Sequence, residues 1–367
     1  MGTALVTEQS DIFQATALAT RRQQRLAIAL AIGTLVAFLA LVPFVRVPLM
    51  RMPAFIPSYE AALLFIDMIT AIMLFHQFAR LRLASVLVLA SGYLFDALII
   101  IPHALTFPGA FSPTGLLGAQ AQTTAWLYVF WHGGFPLFVL TYALLRKSEL
   151  AGHRTWIVTN VARATAVAIA CVALLTIGFT LLATLGHDSL PVVMQGGNYS
   201  MLVTKGISPA VWLLTLMAMG ALWQRKQHAV DLWLILVMWI WLFDIALSAV
   251  IGSSRYDLGF YSGRIFGLIA ASFLLITLIV EMARMYAGAL GTVARVQKQL
   301  AELGRTQTYG ESKPFRDDRP DSFIHRQNIA HYRTLLSSDK LDDGRRAAIE
   351  RLLAEEEAKI AGAISQS

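Results

Sequence analysis

Apolar runs of about 20 residues recur along this 367-residue chain. Each can cross a hydrocarbon core of roughly 30 Å as a helix. In lipid every backbone N–H and C=O needs a partner inside the protein, and a helix supplies them locally. Hydropathy places eight spans, at 26–45, 58–79, 83–103, 123–145, 156–184, 207–224, 229–252 and 262–288. The expected fold is all-α: a polytopic transmembrane helix bundle of about eight spans with a short cytoplasmic helical tail. The 156–184 run exceeds what a span needs, which predicts tilt or a protruding end.

Only 14% of the residues are charged, against roughly 25% in soluble domains. The formal net charge of +7 would suggest nucleic acid in a soluble protein. Here the basic residues sit mostly in short loops between apolar runs, so they report topology and no nucleic-acid partner is expected. Arg21, Arg22, Arg25, Arg80, Arg82, Arg146, Lys147, Arg154, Arg225 and Lys226 fall on one side, ten against five on the other. The ten mark the cytoplasmic side. Both termini are then cytoplasmic, and loops 104–122, 185–206 and 253–261 face outward. The first run is too long for a signal-peptide core and reads as a span. A single cysteine, Cys171, permits no disulfide or cysteine-based metal site within one chain.

Ionisable residues inside spans cost about 2.5–3.5 kcal/mol each on insertion scales, so each needs a partner or water. Asp67, Asp96, His132 and Asp244 all fall at roughly 10–14 Å below the outer face, counted at the helical rise per residue. Such residues can bond across helices as structural glue, typically about 0.6 kcal/mol each. They can equally line a polar ligand pocket or a proton-responsive one. Asp67, Asp96, His132 and Asp244, with His103 at the outer end of the third span, are the candidate ligand-binding residues. Arg163 and Glu281 suggest a second layer near the cytoplasm. No metal-ligand spacing stands out, and His103 and His132 are awkwardly spaced in depth for haem. No metal and no cofactor are expected.

In "WHGGFPLFVLTYALL" (131–145) a glycine pair and Pro136 follow His132, which predicts a pocket-opening kink or a packing bend. In "LIIIPHALTFPGAFSPTG" (98–115) Pro102 and Pro108 stiffen an uncharged aromatic loop. It is expected to roof the Asp67, Asp96, His132 and Asp244 layer, with Phe107 or Phe111 directed inward.

"PSYEAALLFIDMITAIMLFHQF", "VLASGYLFDALIIIPHALTFPGAF" and "TTAWLYVFWHGGFPLFVLTYALL" together resemble the fourth kind of membrane-associated sensor domain, the MASE group. The resemblance is most specific over 57–145 and extends in layout from about 30 to 290. It implies a bacterial sensor in the cytoplasmic (inner) membrane, serving a signalling output that is commonly a diguanylate cyclase or a histidine kinase. Carried over by position, Tyr93, Asp96, Pro102, His103, Phe107, Pro108, Gly109, Trp126, His132 and Pro136 match the family pattern. Tyr93 and Trp126 thereby join the candidate ligand-binding set.

The chain departs from the family plan after about residue 290. No G-G-D/E-E-F motif, kinase ATP-binding region or P-loop is present, so no enzymatic activity is expected. The parts expected are a cytoplasmic N-terminal segment (1–25), a transmembrane sensor domain (26–288), a connector helix (289–303), a flexible linker (304–320) and a cytoplasmic helical hairpin (321–367). Ile329, Tyr332 and Leu336, and Ile349, Leu352, Leu353 and Ile360, form apolar stripes. Two short helices bury little, so homodimerisation, docking on the inner face of the membrane domain or docking of a kinase or cyclase partner is expected. The function read is a membrane-integrated sensor of a small ligand or of membrane state. The rivals are a small-solute or ion transporter and a haem- or quinone-linked membrane subunit.

Overall fold

The computed structural model describes residues 19–151, 158–196, 198–223, 228–252, 254–310, 320–337 and 343–364. The helices are α1 (Arg21–Leu41), α2 (Phe55–Leu81), α3 (Ala84–Thr106), α4 (Thr123–Leu150), α5 (Val161–Thr184), α6 (Ser208–Trp223), α7 (Ala229–Ile245), α8 (Leu258–Gly310), α9 (Pro320–Leu336) and α10 (Asp343–Ile364). A wide π turn, Val203–Ile207, leads into α6, and a second, Ala246–Ile251, extends α7. Eight helices among the described residues are long and apolar enough to span a membrane. A small antiparallel hairpin, β1 (Met194–Gln195) and β2 (Asn198–Tyr199), was not expected from the sequence. Its turn uses Gly196 at φ +64°, a conformation that favours glycine.

The chain divides into two units, Met1–Gly288 and Ala289–Ser367. In the first, α3 and α7 are central: 72% and 78% of their apolar windows are buried, against 6% for α1 and 17% for α5. The apolar side chains that α1 and α5 leave exposed, such as Leu39 and Leu174, face a bilayer. The helix α3 packs against α2, α4 and α5, while α6 lies against α4 and α7. Glycines let α3 and α4 approach closely: a Cβ on Gly92 would sit 2.8 Å from the Phe138 Cβ, and one on Gly134 would overlap the Phe95 ring.

The ends of α3, α4 and α7 on the side of Arg82 and Arg146 are tied by buried polar contacts that the hydropathy reading passed over. Glu149 on α4 accepts from the Ser85 backbone N–H at 2.9 Å and from its hydroxyl at 2.5 Å, capping α3 from outside. Tyr142 donates to Asp231 at 2.7 Å, joining α4 to α7. Arg163, expected in an inner polar layer, is exposed. At the outer end the 45–49 segment pairs with the start of α8 through Leu258 N–H to the Val47 carbonyl and Gly259 N–H to the Val45 carbonyl, both 2.9 Å. Asp257 caps α8 through the Phe260 N–H at 2.7 Å.

The helix α8 presents Gly259, Gly263 and Gly267 to the α7 π turn. A Cβ on Gly263 would overlap the Ser248 hydroxyl, and one on Gly267 would lie 3.0 Å from the Tyr59 hydroxyl and 3.2 Å from Asp244 Oδ2.

Three expected boundaries need correction. The flexible linker over 304–320 is helical through Gly310 and again from Pro320. Gly304 costs about 1 kcal/mol in a helix, too little to stop a segment flanked by Ala301, Glu302, Leu303 and Arg305. The N-terminal segment 1–25 is already helical from Arg21, and its first 18 residues lie outside the described ones. The fifth span starts at Val161, with 156–157 outside the described residues.

In the second unit α9 and α10 pack together. Ile329, Tyr332, Leu336, Ile349 and Leu353 are the partly buried stripe, whereas Leu352 is exposed. His325 Nδ1 donates to Glu356 at 2.5 Å, and Lys359 donates to the same carboxylate at 2.9 Å. These bonds, His325's first, hold the Glu356 carboxyl down at about 2.

Two predictions follow from this packing. Gly263→Ala should destabilise the membrane unit by about 1–3 kcal/mol through overpacking, whereas Gly178→Ala, with open space around it, should be neutral; thermal unfolding in detergent compares them. Because folding lowers the Glu356 pKa, its stabilisation is full above its ordinary value and lost as pH falls towards about 2. Hydrogen exchange in the full chain should show α9 and α10 loosened by Glu356→Gln at pH 7, with the difference fading as the pH drops through that window.

Candidate functional site: two cavities and a shared wall

The half of the membrane unit that carries loops 104–122 and 185–206, called outer after the basic-residue pattern, holds two small cavities. The first gathers Asp67 from α2, Tyr93 and Asp96 from α3, Trp131 from α4 and Asp244 from α7, with Gly267 of α8 closing one side. Its volume is about 10 Å³, the lower bound for one water. All three carboxylates are buried, and no Lys, Arg or His lines the cavity. Among the described residues, Asp96 Oδ1, the Tyr93 hydroxyl and the Trp131 and Trp241 indole nitrogens have no hydrogen-bond partner. Each such group costs about 1–3 kcal/mol unless something completes it. Buried polar atoms converging on one small space are a place for a proton, a water or a ligand atom.

The second cavity lies nearer the outer face and measures about 40 Å³. His103, Tyr128, His132, Tyr199, Arg255 and Arg264, with the Thr124 and Ser208 hydroxyls, supply its polar lining, beside apolar side chains from α4, α6 and the two π turns. The β-hairpin covers it with Met194 and Tyr199. Gln122 fixes that hairpin: its side-chain oxygen accepts from Val193 and Met194 N–H at 2.9 and 2.7 Å, and its amide donates to the Met194 carbonyl at 2.9 Å. Burial pushes the Tyr199 phenol up from its ordinary value, keeping it a donor.

One ion-pair contact forms the wall between the cavities. His132 Nδ1 lies 3.0 Å from the Tyr128 carbonyl, which can only accept, so Nδ1 carries a hydrogen. His132 Nε2 lies 3.1 Å from Asp244 Oδ2. A neutral imidazole protonated at Nδ1 would bring two acceptors together there. One proton must therefore sit between Nε2 and Oδ2, giving either imidazolium with carboxylate or imidazole with carboxylic acid. Ser248 donates to the other Asp244 oxygen at 2.9 Å. Tyr128 stacks on the imidazole with ring centres 3.7 Å apart.

The structure thus brings Asp67, Tyr93, Asp96 and Asp244 together and joins His132 to them through Asp244. It does not bring His103 or Trp126 into that cluster. His103 bonds Glu60 through Nδ1 at 2.7 Å and lines the outer cavity. Trp126 lines neither cavity: its indole donates to the Pro191 carbonyl at 3.0 Å and anchors the hairpin loop. The 104–122 loop directs Phe107 inward and leaves Phe111 exposed, but Phe107 lines the outer cavity and not the acidic one. Sequence reasoning missed Glu60, Tyr128, Arg255 and Arg264. Glu60 and Arg264 stand close to span ends, where an interfacial charge is ordinary. The signal that could have found Arg264 is its place in "GFYSGRIFG", one residue past Gly263 on a helix of recurring glycines.

A profile described as membrane-associated sensor, integral membrane domain (MASE4) matches residues 50–286. The chain belongs to the MASE4 family. Every residue of the two cavities and their shared wall falls inside the matched range, whereas α1 lies outside it. MASE4 membership and the eight apolar helices make this a multi-pass integral membrane protein in contact with lipid. No curated protein and no solved structure matches the chain.

The proton shared by His132 and Asp244 yields a test. In Asp244→Asn the amide can donate to Nε2 and its oxygen can accept from Ser248, so stability should stay within about 1 kcal/mol of wild type. Asp244→Ala removes one partner of a buried pair and should cost about 3–5 kcal/mol. Unfolding midpoints of the two purified variants decide between them.

Proposed function

We propose that this MASE4 protein is a sensor of a small ligand or of membrane state that carries its signal to a cytoplasmic partner. The observation that carries the reading is the His132–Asp244 wall. It couples a cluster of incompletely bonded buried acids to a second, roomier cavity, and membership of a membrane-sensor family gives such a site its context. A ligand acts on such a protein by binding two conformations unequally. Here binding in either cavity alters the surroundings of one shared pair, against which the α8 glycines pack.

In this reading the protein sits in a bacterial cytoplasmic membrane with both termini inside, as the distribution of basic residues favours. It is not an enzyme. The residues after Gly288 serve as connector and as docking surface for a kinase or cyclase, or for a second copy of the chain.

The test pairs signalling with insertion. Asp96→Ala and His132→Ala should still insert into the membrane and should change the output of a kinase or cyclase encoded beside the protein. Normal output from both variants would remove the pocket from the signalling path. Reconstituted wild-type protein should pass no ions above empty liposomes, and measurable flux would favour a transporter.

A further inference from the structure

Two arginines line the outer cavity, and no acidic side chain does. Arg264 is buried, 6% exposed. Its Nη1 donates to the Phe260 carbonyl at 2.9 Å, and its guanidinium lies over the Phe260 ring at 3.6 Å and near the Tyr128 ring at 5.7 Å. Arg255, half-buried, lies over the Phe107 ring at 5.2 Å. Among the described residues neither guanidinium has a carboxylate within 4 Å, and each has donors left over from a set of five. The nearby acids are engaged elsewhere: Asp244 with His132 and Ser248, Glu60 with His103, and Asp257 with the first turn of α8. Two cations held near the outer face of a membrane bundle with no carboxylate in direct contact are costly. An anion between them offsets that cost, and arginine's planar fork matches a carboxylate.

Another cavity adjoins the outer one. It is larger, about 610 Å³, and is lined by Arg51, Asn198, Ser254 and Tyr256, again without an acidic side chain. Phe107 and Arg255 belong to both linings. This stacked pair is the partition between an outer vestibule and the inner cavity. Arg51, over the Tyr256 ring at 5.2 Å, adds a cation on the vestibule side. The inner space of about 40 Å³ holds roughly three waters, the size of an acetate or propionate ion, and Val203, Ile207 and Val211 offer apolar contact for a short tail.

We propose that the outer cavity binds a short-chain monocarboxylate from the external solution, its carboxylate held by Arg255 and Arg264 after passing the Phe107–Arg255 partition. This rests on the reading of the site as a ligand sensor and names its ligand class.

The test uses full-length protein in neutral phosphatidylcholine nanodiscs at constant ionic strength. Acetate and propionate should raise the unfolding midpoint saturably, and acetamide and propionamide should not. Labelled acetate should bind at about one per chain. Arg264→Gln and Arg255→Gln should each weaken acetate binding at least tenfold, while Arg163→Gln, on an exposed position of α5, should not. Arg264→Lys, which keeps charge without the fork, covers the case in which Arg264→Gln fails to fold and should also bind more weakly. Equal effects of acetate and acetamide, or wild-type acetate binding by the Arg255 variant, overturn the proposal. So does stabilisation by phosphatidylglycerol nanodiscs that leaves no further effect of acetate, which would assign the arginines to a lipid head group. Saturable acetate binding that leaves partner output unchanged keeps the site and removes the sensing role.

Discussion

The contact between His132 and Asp244 is the constraint from which the outer half of this bundle takes its form. A histidine and an aspartate buried in the hydrocarbon region are affordable only together, with a proton between them and the remaining valences filled. Tyr128 fills one side of the imidazole with its carbonyl and stacks on its face. Ser248 fills the second carboxylate oxygen. Once α4 and α7 are joined at this point, the position of α8 follows. Its glycines at 263 and 267 leave no side chain to collide with Ser248, Asp244 or Tyr59, so the helix can lie against the pair and close the acidic cavity.

The π turn at the end of α7 belongs to the same device. Wide turns of this kind collect at functional sites because they redirect side chains that a regular helix would aim elsewhere. Here the turn holds Ser248 over Asp244 and sets Ala249 in the wall of the outer cavity. One turn earlier, the Leu242 carbonyl accepts the Trp212 indole at 3.1 Å, which ties α6 to the same stretch of α7. The other π turn, Val203–Ile207 leading into α6, lines the outer cavity from the opposite side. The α7 turn is enclosed by protein through Ala249, as backbone away from water requires, whereas the turn before α6 leaves Lys205 and Gly206 exposed.

Span number and helical class were legible in the sequence because length and hydropathy alone decide them. The common depth of Asp67, Asp96, His132 and Asp244 was legible for a related reason: rise per residue is a property of the helix, and depth needs no knowledge of neighbours. What depth omits is azimuth. His103 and Trp126 lie toward the same outer side, yet one turns to Glu60 and the other to a loop carbonyl. Arg264 was hidden for the opposite reason. A basic residue near a span end looks like a topology signal, and only the packing of α8 shows that its guanidinium points into the bundle among aromatic rings. Glu149 and Asp231 were masked in the same way by their nearness to span ends.

The two cavities are also lined by opposite kinds of side chain, acids on one side of the wall and arginines on the other. That polarity gives the His132–Asp244 proton a direction. An anion against the arginines lies on the histidine side and favours imidazolium with carboxylate. A proton or cation among Asp67, Asp96 and Asp244 lies on the other side and relieves the repulsion between these acids. Each event changes the charge felt by the other cavity through a contact of one hydrogen bond, with no chain of intermediates required. Coupling of this kind is reciprocal by thermodynamic necessity. If carboxylate binding is altered by changing Asp67 or Asp96, which touch no arginine, then a ligand held by the arginines must in turn be felt by the acids.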